Sequence, residues 1–153
     1  MVEKVAMIRQ YGFEKLSVWQ NSRNLVKDIY CLTKSLPSEE RYGLVSQIQR
    51  AAVSVSSNIA EGASRVSSKD QGHFYLTAYA SLMEVLCQLT LCLDLGFIND
   101  EAYTSTRAKV DLVAYQLNQL RSAALSKPSQ PSQQRSTQPS QPSQPSKPSQ
   151  PRS

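Results

Sequence analysis

Residues 42–65 read YGLVSQIQRAAVSVSSNIAEGASR. At about 100° per residue this is one amphipathic helix with two ordered faces. Leu44, Ile48, Ala52, Val55 and Ile59 fall on one side. Gln47, Arg50, Ser54, Asn58 and Glu61 form a second stripe roughly 120° around the axis. A solvated face is ordinarily drawn with Lys and Glu, whereas this one is drawn with amides, hydroxyls, one Arg and one Glu. A stripe that is polar but poor in charge suits groups that hydrogen-bond between helices or subunits and so fix register. Gly62 follows Glu61 and suits the left-handed position that ends a helix.

The flanking sequence predicts three more helices. Ser17-Val18-Trp19-Gln20 fits a capping box, and Val18, Ser22, Leu25, Ile29, Leu32 and Leu36 follow at helical spacing until Pro37. Ser38, with Glu39 and Glu40 after it, is placed to cap the second helix. Ser68-Lys69-Asp70-Gln71 is a second capping box. It opens a third helix in which Tyr75, Tyr79, Leu82, Leu86, Leu89 and Leu93 repeat every 3.5 residues, and Gly96 stops it. Asn99 caps a fourth, carrying Tyr103, Thr106, Val110, Val113, Leu117, Leu120 and Ala124. No segment alternates as a strand would. The expected fold is all-α, an up-down-up-down antiparallel four-helix bundle with left-handed packing.

The third helix is apolar beyond its seam, with Phe74, Leu76, Ala78, Met83, Val85, Leu91 and Cys92 spread around it. A helix of that kind wants two partners, its own bundle and a neighbouring subunit, so a homo-oligomer is expected. Residues 74–93 are long enough to cross a bilayer, but Glu84 and Gln88 interrupt them, and the expectation is that the chain does not span a membrane.

Residues 127–153 are nearly all Pro, Ser, Gln, Lys and Arg, with no aliphatic or aromatic side chain. Such a segment cannot offset its ordering entropy by apolar burial. The domain reading is therefore an N-terminal arm over 1–13, the bundle over 14–125 and a disordered tail over 126–153, whose prolines recur every third residue as in polyproline II. The tail carries Lys127, Arg135, Lys147 and Arg152 and no acid, which leaves 13 basic against 12 acidic residues in the remainder. The pI of about 9.2 thus describes a tail, and any nucleic-acid contact in the body must come from local patches. Arg23, Lys27 and Lys34 lie within about 40° on the first helix. Arg41 and Arg50 belong to the second, and Arg65 and Lys69 flank the loop after it.

The residues offer little catalytic chemistry. A di-iron carboxylate bundle needs two Glu-x-x-His pairs, and the chain has one histidine, His73, without a glutamate three before it. Glu61 and Glu84 are isolated acids for which a structural role, together with Ser81 and Gln88, is expected. No phosphate loop, cofactor fingerprint or nucleophile–base pair is present. No enzyme activity, metal or cofactor is expected. Cys31, Cys87 and Cys92 contain no CxxC spacing and read as small buried thiols of a cytoplasmic protein.

The run Tyr42-Gly43-Leu44, Gln47-Ile48, Arg50-Ala51 and Asn58-Ile59-Ala60-Glu61-Gly62 resembles the family of 23S rRNA intervening-sequence proteins. Leu16-Ser17-Val18-Trp19-Gln20, Tyr30, Pro37 and Ala80-Ser81-Leu82-Met83-Glu84-Val85 are similar to the same family. The departures are Gln49, where a basic residue is usual, and Val55 in place of Ile. The resemblance implies a homopentameric bundle. It also implies kinship with the accessory variability determinant of diversity-generating retroelements, which binds a reverse transcriptase and its template RNA. The expected function is a non-catalytic oligomeric adaptor for RNA, a reverse transcriptase or both. Arg23, Lys27, Lys34, Arg41, Arg50, Arg65 and Lys69 are the candidate RNA contacts. Gln47, Ser54, Asn58, Glu61, Gly62, Ser81 and Glu84 are the candidate interface motif. The alternative is an oligomeric scaffold or regulator with protein partners only.

Overall fold

Where each helix starts and stops depends on which group reaches its unpaired backbone. The computed structural model describes residues 8–128. Among them lie four α-helices, α1 (Ser17–Leu32), α2 (Leu44–Ser64), α3 (Ser68–Asp94) and α4 (Asp100–Leu125), and no strand. The tail reading, from residue 129 onward, and the first seven residues of the arm fall outside the described residues.

Two boundaries follow the expected chemistry. Asn99 Oδ1 accepts from Ala102 N at 2.8 Å and opens α4. At the end of α3, Phe97 N donates to Cys92 O and Gly96 N to Leu93 O, each at 2.9 Å. Gly96 there has φ +72, the left-handed conformation that costs glycine least.

The other caps differ from the sequence reading. Ser17 is the first residue of α1 and caps nothing; Leu16 holds the cap position without a side-chain bond. A 3-10 turn at Gly12–Lys15 folds over this end, and Gln20 Nε2 donates to Glu14 O at 2.9 Å. Ser38 opens a separate 3-10 turn, Ser38–Glu40, and not α2. The chain then bends, and Glu40 caps α2 in its place, Oε2 accepting from Leu44 N at 3.1 Å. A Cβ on Gly43 would lie 2.6 Å from that oxygen, so glycine makes room for the cap. For α3 the cap is Ser67, whose Oγ accepts from Asp70 N at 3.1 Å.

Gly62 also departs from expectation. Helix α2 continues to Ser64, and Gly62 is a buried helical residue inside it. Its hydrogen faces α3, where a Cβ would lie 2.6 Å from Tyr75 Cε1 and 3.0 Å from Phe74 Cβ. The glycine is there for close approach, not for a turn.

The helices pack in cyclic order, each against its sequence neighbour, with α4 closing on α1 and α2–α3 the most extensive pair. Between them lie Leu25 and Ile29 of α1, Ile48, Val55 and Ile59 of α2, Leu82, Val85 and Leu89 of α3, and Val110, Val113 and Leu117 of α4. Each such side chain, fully buried, contributes about 1.5–3 kcal/mol over exposure. Because α3 is flanked by both α2 and α4, its buried arc is wide. Ala78, Val85 and Cys92 belong to this core, while Tyr79, Leu86 and Leu93 are half-buried on its α4 side. By length and composition α3 is long and apolar enough to cross a membrane, and a third of that window is buried in the bundle.

Candidate functional site

The polar stripe of α2 meets a matching one on α3. Ser54 Oγ and Ser81 Oγ are 2.9 Å apart across the two helices. Asn58 Nδ2 donates back to Ser54 O at 2.8 Å and to Ser54 Oγ at 3.1 Å. Two turns along, Gln88 Nε2 faces Glu84 Oε1 at 3.2 Å and Gln47 Oε1 at 3.4 Å. Gln88 is only 5% exposed, and its Oε1 has no donor among the described residues. Of the candidate interface motif, Gln47, Ser54, Asn58, Ser81 and Glu84 therefore share one seam, with Gln88 as its buried centre. Glu61 is exposed and lies outside that network, lining a shallow apolar hollow with Tyr11 and Phe13. Gly62 sits at the tight end of the seam, against Tyr75.

Outward of this seam α3 presents Leu76, Ala80, Cys87 and Leu91 to solvent, with Met83 half-buried among them. These positions advance by four and three residues and so form one row along the helix. Leu76 is 45% exposed and Leu91 43%. Away from the seam, α2 carries Val53, Ala60 and Ser64 toward α1 and the turn before it, where Val53 lines a groove with Tyr30, and Ala60 and Ser64 line a hollow with Tyr11 and Phe13.

All seven candidate RNA contacts are exposed. They do not form one patch. Arg23 and Lys27 share a row on α1, but Lys34 lies past its end on a 3-10 turn (Thr33–Ser35), where the step is about 120° per residue. Three arginines are laid on aromatic rings: Arg23 over Trp19 and Arg41 over Tyr42, each 5.6 Å from the centroid, and Arg65 over Phe74 at 4.6 Å. The ion pairs among the described residues are Arg107–Asp111 and Lys109–Asp28, so none of the seven is neutralised that way. Arg41 and Arg50 line a common groove of about 620 Å³ with Tyr30 and Tyr42. Gln49 spans from its wall, Nε2 donating to Thr33 Oγ1 at 2.9 Å. The sequence reading missed the aromatic partners. Trp19 is four residues before Arg23 and was legible as a helical pair. Phe74 meets Arg65 only through the α2–α3 turn.

Remaining reactive groups are dispersed. Among the described residues no three His, Cys, Asp or Glu side chains cluster as a metal site. Cys92 is buried, but Cys31 and Cys87 are exposed, contrary to the expectation of three buried thiols. Burial raises the Cys92 thiol, with a further push from Glu40. Tyr103 Oη lies 3.4 Å from Thr90 Oγ1 and accepts from Arg107 Nη1 at 3.1 Å. These hydrogen bonds, Thr90 first, hold its phenol below the ordinary value, a surface tie between α3 and α4.

The comparisons with known proteins agree with this architecture. A protein of unknown function from the S23 ribosomal protein family of Bacteroides thetaiotaomicron shares the fold. The two are 24% identical with a TM-score of 0.64, over 69% of this chain and 95% of that one. No curated protein matches. The model of the 23S rRNA-intervening sequence protein family matches residues 14–128. That span contains all four helices, and the chain belongs to the 23S rRNA-intervening sequence protein family.

Proposed function

We propose that this protein is a non-catalytic homo-oligomeric adaptor that holds RNA on outward basic patches, in the manner of an accessory subunit serving a reverse transcriptase. The observation that carries the reading is the set of arginines laid on rings outside the core, Arg23, Arg41 and Arg65, none ion-paired among the described residues. A guanidinium over an aromatic ring keeps its charge beside that ring while its N–H groups stay available to phosphate. The body is nearly neutral, so affinity must come from repetition: a pentameric ring multiplies each patch, and phosphate affinity rises steeply with the number of contacts. The outward row of α3 supplies the apolar surface for assembly, with a neighbouring subunit and not lipid as its partner. Exposed Cys31 and Cys87 suit a reducing cytoplasm.

A scaffold with protein partners only is the second reading, favoured by that same α3 row. Light scattering on the full chain, with Leu91→Lys to break the row, tests assembly; a monomer mass near 17.0 kDa for the parent protein refutes it. Salt-dependent RNA binding tests the adaptor. Removal of residues 127–153, with four positive charges per chain, flattens the salt dependence if the tail contacts phosphates. An oligomer that binds no RNA at physiological salt, even with a reverse transcriptase present, leaves the scaffold.

A further inference from the structure

We infer that the groove between the C-terminal end of α1 and the start of α2 takes single-stranded nucleic acid, with an unpaired base stacked on Tyr42. This rests on the RNA reading above and narrows it to one site and one form of ligand. Tyr42 is 87% exposed, and Tyr30, across the groove, is 45% exposed. A large ring left almost wholly in water contributes little to the fold. A cation accompanies the ring, Arg41 Cζ lying 5.6 Å from its centroid.

The groove is charged in one sense. Among the described residues, Arg41 and Arg50 are the ionisable groups that line it apart from the two phenols, and no carboxylate does. Neither arginine is ion-paired among the described residues. It is an open groove of about 620 Å³, accessible along its length to a flexible strand and not an enclosing pocket. Val45 and Val53 give the floor apolar surface, which suits a ring face and not a hydrated phosphate. Two guanidinium groups beside two rings match what a flexible single strand offers, a phosphate next to a free π-face. A duplex keeps its bases stacked on one another and offers the rings nothing. Beside the groove, Gln49 Nε2 donates to Thr33 Oγ1 at 2.9 Å and ties α2 to the 3-10 turn after α1.

The test is fluorescence anisotropy of the full chain with labelled oligouridine, alone and annealed to oligoadenosine. The single strand is expected to bind more tightly than the duplex. Tyr42→Ala should weaken the single strand on the order of tenfold, the loss of one stacked base, with Tyr42→Trp retaining affinity. Arg41→Ala with Arg50→Ala should lower the slope of log affinity against log salt by about 1.4, two phosphates at ~0.7 each. Tyr42 is exposed, so these variants fold; circular dichroism and oligomer mass check that. Equal binding of both forms, with Tyr42→Ala unchanged, overturns the groove but leaves RNA binding elsewhere. Displacement of the RNA by oligoglutamate at matched charge also overturns it, in favour of an acidic peptide. A parent protein that binds neither form overturns this inference together with the adaptor reading.

Discussion

Gly62→Ala should destabilise the fold although alanine is the better helix former. Glycine inside a helix costs about 1 kcal/mol relative to alanine, so propensity alone predicts a gain. The new methyl would lie 2.6 Å from Tyr75 Cε1 and 2.9 Å from Cδ1. Carbon contacts settle near 3.5–4.0 Å, so the ring must retreat by about 0.9 Å. The ring is 3% exposed and can retreat only partly, toward the cleft of about 260 Å³ that it lines with Leu16 and Leu120, at the cost of its own packing. The third contact, Phe74 Cβ at 3.0 Å, is fixed to the α3 backbone. Overpacking of this kind costs about 1–3 kcal/mol, and the upper end applies where backbone must move. Subtracting the propensity gain leaves a net loss of about 2 kcal/mol. At about 4 °C per kcal/mol for a domain of this size, Tm should fall by roughly 8 °C. The assay is thermal unfolding by circular dichroism at fixed protein concentration, so that any mass-action contribution of assembly is held constant. Tyr75→Leu in the same background should recover part of the loss, since the shorter side chain vacates the clash. Gly12→Ala, with nothing within 4 Å of its Cβ, is the control and should leave Tm in place. A Gly62→Ala protein as stable as its parent would refute the reasoning.

Gly72→Ala makes the opposite case: its Cβ would lie 2.7 Å from Leu125 Cδ2, but Leu125 is 53% exposed at the end of α4 and can swing away. Stability should rise by up to ~1 kcal/mol, and a drop in the urea midpoint would count against this. Ser54→Ala and Ser81→Ala should each cost about 0.5–1.5 kcal/mol, and the double variant less than their sum, because the 2.9 Å bond they share is lost only once; strict additivity in a double-mutant cycle would exclude the bond. Asn58→Ala should lower Tm through its bonds to Ser54, whereas Glu61→Ala, exposed and outside that network, should leave Tm unchanged; equal falls in thermal unfolding would contradict this. Burial raises Tyr75 above 10.0 and burial, then Glu40, raises Cys92 above 9.0. The native state therefore holds both protons more tightly than the unfolded chain, so this stability is complete below those values and is lost as pH rises through 9.0 and then 10.0. A denaturation midpoint that stays level across that range would contradict it, and Tyr75→Phe should remove the upper part of the fall.

The helices themselves were legible because burial imposes a period. Val18, Leu25 and Ile29, or Val110, Val113 and Leu117, recur as a helix must place them to share a core, and no other element has that spacing. The end of α3 and the start of α4 were legible because Gly96 and Asn99 act on backbone groups within a few residues of themselves. The starts of α1, α2 and α3 were not. Ser17, Ser38 and Ser68 each fit a local capping pattern, yet Glu14 O, Glu40 Oε2 and Ser67 Oγ were the groups that met the free backbone or side-chain amides. Which one reaches depends on how the preceding turn folds back.

The class of fold, the number of helices, the polarity of the α2 stripe and the excess apolar surface of α3 can all be read from the order of the residues. These are local or periodic properties, written along one helix at a time. Only the tertiary structure decided that Gly62 is a contact point and not a stop, because the ring that would clash with a side chain there comes from Tyr75 on another helix. It alone decided that Ser54 meets Ser81, that Gln88 is buried beneath Gln47 and Glu84, and that Arg41, Arg50, Tyr30 and Tyr42 line one groove. Those pairings depend on the relative rotation and rise of packed helices. That rotation is set by the whole core at once, and no stretch of sequence states it.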